Sequence, residues 1–252
     1  MPIPRRIIQT HRSPAIGARH RETWRTHHPD YEYLFFDDDA CRDFIRQQVP
    51  ALSTTYERLP LPVQKADLFR YAAVHRLGGV YADVDTACRA PLHDYADLGR
   101  EHLLVGIEMT PDAFPGGVDA YSRHYCFPVQ YLQWTFAAPP GHPVLGRVLQ
   151  RIAAFVHEMP DRSLRAWSEA SQRFTLELTG PIMFTQVIRE LLAQRRAPPV
   201  TVLHRHVWGA IPPELRSPQI LPSVKVAHLY AGSWKPPRAR NDGPMAPDPP
   251  RG

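Results

Sequence analysis

Two aspartates, Asp83 and Asp85, end a short apolar run, and their spacing could bring two carboxylates together. On an extended strand, residues i and i+2 point to the same side, so both side chains would converge where the strand meets solvent. Paired carboxylates suit a divalent cation and the phosphate oxygens that such a cation bridges. The pair alone is a weak signal, because many Asp-x-Asp pairs are solvated turns or strand ends.

Asp67 and Arg70 lie upstream, three residues apart on a predicted helix, and therefore share one helix face. One interpretation is that they carry an acid and a base to the metal and phosphates, which suggests sugar-nucleotide chemistry. The alternative is a surface ion pair, worth about 0.2–0.5 kcal/mol to the helix. Gly78 and Gly79 could likewise do no more than end that helix in a left-handed conformation. The order and spacing of these pieces favour the chemical interpretation.

Predicted strands and helices alternate around these residues, which favours a mostly parallel sheet with helices on both faces. Ligands of such sheets bind beyond the carboxyl ends of the strands, where Asp83 and Asp85 fall. The predicted strands are 5–9, 31–36, 80–82, 103–107, 129–136, 200–203 and 226–230. The predicted helices are 15–27, a helix capped by 37–39 that ends near 48, then 62–77, 143–157 and 182–194.

The composition is that of one globular domain. The chain has 252 residues, 43% of them hydrophobic, and α/β domains of this length often stay undivided. We predict a domain over 1–235 and a Pro-rich tail over 236–252 that is expected to be disordered. The sequence has no apolar run of about eighteen residues, so no transmembrane helix is predicted. Three cysteines without Cys-x-x-Cys spacing argue against a zinc ribbon or a disulfide framework.

The net charge of +5 can attract phosphates, anionic lipids or nucleic acid. The basic residues are scattered, without a Lys/Arg block interleaved with aromatics, so we expect no nucleic-acid partner. Peripheral contact with a membrane stays open. The chain has neither a Gly-x-Ser-x-Gly elbow nor a Gly-x-x-x-x-Gly-Lys phosphate loop, which argues against the hydrolases and nucleoside triphosphatases that use them.

The stretch that holds the two carboxylates resembles the core of glycosyltransferase family 32, the DXD-motif sugar transferases. That family includes the initiating α-1,6-mannosyltransferase of the fungal Golgi and is related to the large glucosylating toxins. Its usual pattern is Ser/Ala-Asp-Leu-x-Arg-Tyr followed by Gly-Gly-x-Tyr-x-Asp-x-Asp. This chain has Ala66-Asp67-Leu68-Phe69-Arg70-Tyr71 and Gly78-Gly79-Val80-Tyr81-Ala82-Asp83-Val84-Asp85. The resemblance implies a single-domain, GT-A-like α/β fold with a Rossmann-type sheet.

Further segments match the family in order, from residue 3 to residue 234. The family's first strand usually reads Ile-Pro-Lys-x-Ile-His-Gln, and here Ile8 replaces the His. Two segments, Gln133-Trp134-Thr135 and Pro140-Gly141-His142-Pro143, are similar to the mannosyltransferase branch. The family also has two late motifs. One is similar to Thr179-Gly180-Pro181, and the other is similar to the stretch from His228 to Trp234.

The resemblance implies a metal site that serves the donor. Asp85 would bind the cation directly, and Asp83 would bind either the cation, through water, or the donor's ribose. His228 is the candidate third ligand, and imidazole suits Mn²⁺ better than Mg²⁺. Without the resemblance, a histidine bonded to backbone in a late strand would be the better interpretation of His228.

The family pattern also implies residues that contact the donor. Asp67 would accept hydrogen bonds from hydroxyls of the donor sugar, and Arg70 would pair with a phosphate or with Asp67. Gln9 and Thr10, at the end of the first strand, would hold the nucleoside. Gln133 would lie beneath the sugar. We expect substitution of Arg70 to reduce turnover while leaving the melting temperature nearly unchanged.

Trp234 follows Gly232-Ser233 and would close over the diphosphate as a lid, the alternative being a residue that anchors the tail. The Pro- and Gly-rich stretch 111–128 is expected to form a loop near the acceptor. A retaining glycosidase would need a carboxylate nucleophile and a separate acid. Because Asp83 and Asp85 are assigned to the metal, the expectation is a front-face reaction in which the leaving phosphate takes the acceptor proton.

The function implied is a metal-dependent retaining glycosyltransferase that moves a hexose from a nucleotide sugar to a hydroxyl group of a glycan, lipid or small molecule. The mannosyltransferase-like segments favour GDP-mannose, with a UDP-hexose such as UDP-glucose or UDP-galactose left open. The alternative is a non-catalytic protein that binds sugar nucleotides or glycans on the same scaffold. The N-terminus lacks a signal-peptide apolar region, so we expect a cytoplasmic bacterial enzyme, the alternative being a lumenal enzyme separated from its anchor.

Overall fold

The structure, a computed structural model, describes residues 1–229. Trp234, the end of the last predicted strand and the predicted tail lie outside the described residues. The strands are β1 (Arg6–Thr10), β2 (Glu32–Phe36), β3 (Gly79–Ala82), β4 (Thr86–Cys88), β5 (Leu103–Met109), β6 (Gln130–Ala138), β7 (Val200–Leu203) and β8 (Val226–His228). The α-helices are α1 (Ala18–His27), α2 (Asp38–Gln48), α3 (Ser53–Arg58), α4 (Pro62–Leu77), α5 (Gly117–His124), α6 (Pro143–Glu158), α7 (Asp161–Ala170), α8 (Gln172–Leu178), α9 (Pro181–Leu192) and α10 (Arg205–Trp208).

Within the described part of the chain, six strands form one twisted sheet in the order β2-β1-β3-β6-β5-β7. β1 is parallel to both β2 and β3, and β5 is parallel to β7. β6 runs antiparallel to β3 and β5 between them, so five strands share one direction and one opposes them. The mostly parallel sheet predicted from the sequence is therefore confirmed. A separate two-stranded antiparallel sheet pairs β4 with β8.

Both faces of the sheet are covered, as predicted. Neighbouring residues of β1 point to opposite faces, so Ile7 and Ile8 enter different hydrophobic cores. Ile8 packs with Phe69 of α4 and with side chains of α6 and α9. Ile7 packs with Trp24 of α1 and Trp208 of α10. The polar site lies at the edge of the sheet where these two layers end.

Helix α4 has the bounds that its sequence predicts. Pro62 occupies its first turn, where a missing N–H costs nothing, and the helix ends at Gly78. Gly78 has φ +67°, and a Cβ there would lie 2.6 Å from Cδ of Pro140. The buried face of α4 is not only apolar, however. Of α4's side chains, the polar Gln64, Asp67 and Arg70 are as deeply buried as the apolar ones, because partners from other elements satisfy them.

The loop predicted over 111–128 is wrong in part, because α5 lies within it. Gly116 and Gly117, with φ of +90° and +72°, turn the chain into this helix. The first helix begins three residues later than predicted, at Ala18, because Gly17 precedes it in the left-handed conformation with φ +67°. A Cβ on Gly17 would lie 2.4 Å from the carbonyl oxygen of Val84, the residue between the two predicted metal ligands.

Glycine at position 17 should therefore support the Asp83–Asp85 turn. We expect Gly17→Ala to lower the free energy of unfolding by clearly more than the about 1–2 kcal/mol that left-handed backbone costs an L-residue, since the Val84 backbone must also move. Gly117→Ala is the matched control, because its φ is +72° and nothing lies within 4 Å of the added carbon. Denaturant unfolding measures both variants, and equal losses would show that the close approach is unimportant.

Candidate functional site

Asp83 and Asp85 flank a tight turn that joins β3 to β4. Asp83 makes the last hydrogen bond to β6, in which its N–H donates to the Trp134 carbonyl at 2.8 Å. The chain then turns, and Thr86 donates to the Asp83 carbonyl from its N–H at 3.1 Å and from its hydroxyl at 2.5 Å. The strand ends at Ala82, as predicted, but the extended geometry expected across the two aspartates is wrong, because the chain turns between them, yet their carboxylates still converge.

His228 joins the two aspartates in one cluster. Its strand β8 pairs with β4, which places His228 opposite Thr86. The carboxylates of Asp83 and Asp85 and a ring nitrogen of His228 all lie within 4.8 Å of one another. His228 Nε2 is 3.2 Å from Asp85 Oδ1, and the Trp134 ring stacks on the imidazole with centroids 4.5 Å apart. The predicted third ligand is thus brought to the predicted pair.

This donor set fits a divalent cation. Two carboxylate oxygens and one imidazole nitrogen converge from separate elements, and that combination suits Mn²⁺ better than Mg²⁺. The neighbouring charges also favour a bound cation. Asp67, Asp83 and Asp85 carry three negative charges against the single positive charge of Arg70, which leaves an excess of negative charge for a cation to neutralise.

Arg70 lies between Asp67 and Asp83. Its Nη2 is 3.2 Å from Oδ1 of each carboxylate, and its Nη1 donates to the Gln133 carbonyl at 3.3 Å. The guanidinium also lies over the Tyr81 ring, 4.8 Å from the centroid, and the Tyr81 hydroxyl donates to Asp83 Oδ1 at 2.7 Å. Arg70 is 6% exposed and Asp67 1%, so the alternative of a surface ion pair is wrong.

The carboxylate of Asp67 is held on every side. The Thr179 hydroxyl donates to its Oδ2 at 2.8 Å, and the Gln133 amide donates to its Oδ1 at 3.2 Å. The Tyr71 hydroxyl lies between the side chain of Gln133 and the Thr179 carbonyl and hydrogen-bonds both. Gln133 and Asp67 therefore form one buried network behind Asp83. Contact of either residue with a donor sugar stays a prediction.

Gln9 and Thr10 lie at the carboxyl end of β1, as predicted, but their side chains are engaged within the protein. Gln9 is fully buried, and its amide donates to the carbonyls of Ala82 at 3.2 Å and Asp83 at 3.1 Å. The Thr10 hydroxyl donates to the Phe36 carbonyl at 2.8 Å. Gln9 thus supports the start of the aspartate turn, and a contact with the nucleoside stays a prediction for both residues.

Burial and charge act against each other in this network. Burial raises the pKa of Asp67 to about 6, although Arg70 and the Thr179 hydroxyl favour its ionised form. Burial also raises the pKa of Asp83, opposed by Arg70 and reinforced by repulsion from Asp85. For Arg70, burial disfavours the charge, but Asp83 and the neighbouring anionic groups outweigh it and raise its pKa. A cation beside Asp83 would relieve the repulsion between the two aspartates.

Sequence reasoning missed several members of the site. Tyr71, Tyr81 and Thr179 belong to the family motifs, and that was the only signal for them. The sequence carried no signal for Glu108, which lies near the end of β5. Its Oε2 is buried without a hydrogen-bond partner among the described residues, and burial raises its pKa to about 7, opposed by the positive potential of His228.

Comparisons with known proteins agree with this geometry. Residues 17–104 match the family described as glycosyltransferase sugar-binding region containing DXD motif. An initiation-specific α-1,6-mannosyltransferase of Schizosaccharomyces pombe is 32% identical over 270 residues, which cover 92% of this chain and 64% of that protein. An inositol phosphoceramide mannosyltransferase 3 of the same yeast is 25% identical over 224 residues, covering 81% of this chain and 52% of that protein.

The chain therefore spans between half and two thirds of these relatives. Among solved structures, the ligand-free glycosyltransferase domain of the YGT toxin superposes with a TM-score of 0.55 and 9% identity, covering 80% of each chain. That likeness supports the GT-A fold. Between residues 1 and 229, no helix is both long and apolar enough to cross a bilayer.

The buried position of Arg70 reverses our expectation for its substitution. Arg70→Ala would leave the buried Asp67 and the partly exposed Asp83 without their cation, and we expect a loss of about 3–5 kcal/mol in the free energy of unfolding. Arg165→Ala is the control, because that arginine is 67% exposed and pairs with Glu169 along one helix. It should cost no more than about 0.5 kcal/mol. Similar losses in the two variants, by denaturant unfolding, would contradict the buried network.

Metal binding should appear as stabilisation. We expect Mn²⁺ at about 100 times its dissociation constant to stabilise the wild type by about 2.7 kcal/mol, because a ligand bound only by the native state raises stability. Asp85→Asn removes a converging ligand and should abolish this gain, without lowering the melting temperature in EDTA by more than a few degrees. Asp94→Asn, at an exposed aspartate whose ion-pair partner is His93, is the control. A Mn²⁺ shift retained in Asp85→Asn would exclude the cluster as the metal site.

Proposed function

Because the chain belongs to the family of glycosyltransferases with a DXD sugar-binding region, we propose that it is a metal-dependent, retaining hexosyltransferase. It would transfer the sugar of a nucleotide donor to a hydroxyl group of an acceptor. One observation carries the proposal: Asp83, Asp85 and His228 converge within 4.8 Å at the carboxyl end of β3. This is where open α/β sheets bind their ligands.

Asp83, Asp85 and His228 would hold Mn²⁺ or Mg²⁺. Such an ion, when bound, neutralises the charge that develops on the leaving nucleoside diphosphate. The protein's own contribution is to fix the ligands in place before the donor arrives. Arg70 and the Tyr81 hydroxyl orient the Asp83 carboxylate, and Gln9 holds the backbone carbonyl of the same residue. We assign Asp67 to positioning, because its hydrogen bonds hold Arg70 and Gln133.

We infer retention by a front-face reaction, because the three aspartates of the site are engaged by other groups. Asp83 and Asp85 face the cation site, and Asp67 is 1% exposed and fully hydrogen-bonded, so none of them suits a nucleophile. The acceptor oxygen would instead bond to the anomeric carbon from the side on which the diphosphate leaves. As the bond from that carbon to the diphosphate oxygen breaks, the acceptor's hydroxyl proton passes to a diphosphate oxygen.

GDP-mannose is the donor we favour, with a UDP-hexose as the alternative. Support comes from the names of the relatives, which are mannosyltransferases, and from the similarity of 133–135 and 140–143 to that branch. The relatives' names include both an initiation-specific enzyme and an inositol phosphoceramide enzyme, so a glycan and a lipid head group are both candidate acceptors, as is a small molecule. The intact Arg70 network supports catalysis over a protein that only binds sugar nucleotides.

Turnover of nucleotide sugars tests the proposal. Purified protein with Mn²⁺ is incubated with GDP-mannose, UDP-glucose or UDP-galactose, and release of nucleoside diphosphate is measured with and without acceptor sugars. We expect release from one donor, loss of release in excess EDTA, and at least about a 10²-fold decrease in Asp85→Asn, the scale for removing one key electrostatic stabiliser. Asp94→Asn should match the wild type.

Three results would distinguish the alternatives. Donor binding with Mn²⁺ but no release under any condition would support the non-catalytic binding protein. Full turnover in EDTA would exclude the metal. Product analysis by NMR gives the anomeric configuration, and an inverted product would exclude the front-face reaction.

A further inference from the structure

We propose that Glu108 binds a hydroxyl group of the acceptor glycoside and thereby favours transfer to the acceptor over transfer to water; this inference rests on the proposed function. Glu108 belongs to β5, two strands away from the aspartate turn across β6. It takes no part in the metal cluster or in the Arg70 network.

The backbone around Glu108 is irregular. Ile107 pairs with Tyr131 and Met109 with Gln130, and the β5–β6 register shifts on both sides of Ile107. Irregularities of this kind re-aim side chains and occur often beside active sites. Here the result is a carboxylate whose Oε2 is buried yet accepts no hydrogen bond from any described residue.

An unsatisfied carboxylate oxygen is costly, so its presence needs a reason. A buried acceptor without a partner loses its hydration and gains nothing in return. Burial accordingly raises the pKa of Glu108 to about 7. Hydroxyl groups of a sugar are the donors that such an oxygen lacks, and each hydrogen bond from them would stabilise the ionised form. A residue that destabilises the free protein in this way is typical of a binding site.

The order of the strands indicates which substrate meets Glu108. From β1 the sheet runs through β3 and β6 to β5. At the same edge lie Gln9 at β1, the aspartate turn after β3 and Gln133 in β6, in that order. If nucleoside, diphosphate and donor sugar follow this line, the next position is that of the acceptor, beside β5.

Aromatic side chains form a cluster at α5. Burial raises the pKa of the Tyr121 hydroxyl on α5 to about 12, and the charge of Glu108 adds to that rise. The Tyr121 ring lies 4.9 Å from the ring of Tyr125 and 5.7 Å from that of Phe114, in an edge-to-face contact with the latter. Apolar and aromatic walls with a few convergent polar groups are typical of small-ligand sites. A glycoside, with apolar C–H faces and hydroxyl edges, matches this combination.

The test compares Glu108→Gln with Asp119→Asn, a control at an exposed carboxylate on α5. Three quantities are measured with Mn²⁺ present: donor affinity by calorimetry, donor hydrolysis, and transfer to methyl α-mannoside, methyl α-glucoside and methyl α-galactoside. For Glu108→Gln we expect kcat/KM for the glycoside to fall at least about tenfold, the scale of a hydrogen bond to a charged group. Donor affinity and hydrolysis should stay within about twofold, and the melting temperature should be unchanged or higher. Asp119→Asn should match the wild type throughout.

Each other outcome has a definite meaning. A Glu108→Gln protein that transfers as well as the wild type overturns the inference, and so does one whose melting temperature falls by several degrees together with its activity. A wild type that turns over donor but uses none of the three glycosides also overturns it, because the acceptor would then not be a simple glycoside. If the wild type neither binds nor hydrolyses any donor with Mn²⁺, it is the proposed function itself that fails.

Discussion

The site depends on one buried ion pair network, in which the guanidinium of Arg70 lies 3.2 Å from the carboxylates of both Asp67 and Asp83. Removing these charges from water is expensive, and their attraction offsets that cost only when the remaining donors and acceptors are also satisfied. Thr179, Gln133 and Tyr81 supply those hydrogen bonds. Elements far apart in the sequence must therefore be placed correctly before the Asp83 carboxylate acquires its orientation.

This requirement explains features of the fold that the hydrophobic core alone would not need. β6 runs against its neighbours, and its carbonyl at Gln133 accepts a hydrogen bond from Arg70. α4 is buried around most of its circumference, with polar residues packed inward. The Gln64 amide, for example, donates to the hydroxyls of Ser168 and Thr175, 3.0 Å from each. Polar contacts of this kind tie α4 to α7 and α8, and the Arg70 bond to the Gln133 carbonyl ties it to β6.

Much of this architecture could be predicted from the sequence, and the exceptions have physical causes. The alternation of strands and helices predicted the sheet, and Pro62 and Gly78 predicted both ends of α4. The burial of Asp67 and Arg70 was missed, because spacing shows which residues share a helix face but not whether that face meets water or protein. α5 was missed because Gly116 and Gly117 are typical of a loop. Only the structure shows that their positive φ angles lead the chain into a helix. Glu108 stands alone in a strand, and only the fold shows that one oxygen of its carboxylate is buried without a described partner.

The pairing of β4 with β8 has a consequence for how the protein is made. Two of the proposed metal ligands belong to the first half of the chain, whereas His228 lies in the last strand that the structure describes. A cation held by all three would close a long loop, and closing such a loop restricts the unfolded chain more than the folded one. A nascent chain that has not yet emerged as far as His228 cannot complete the centre. A chain truncated before His228 would thus hold Asp83 and Asp85 without the third proposed ligand, and under the proposed metal dependence it would not consume nucleotide sugar.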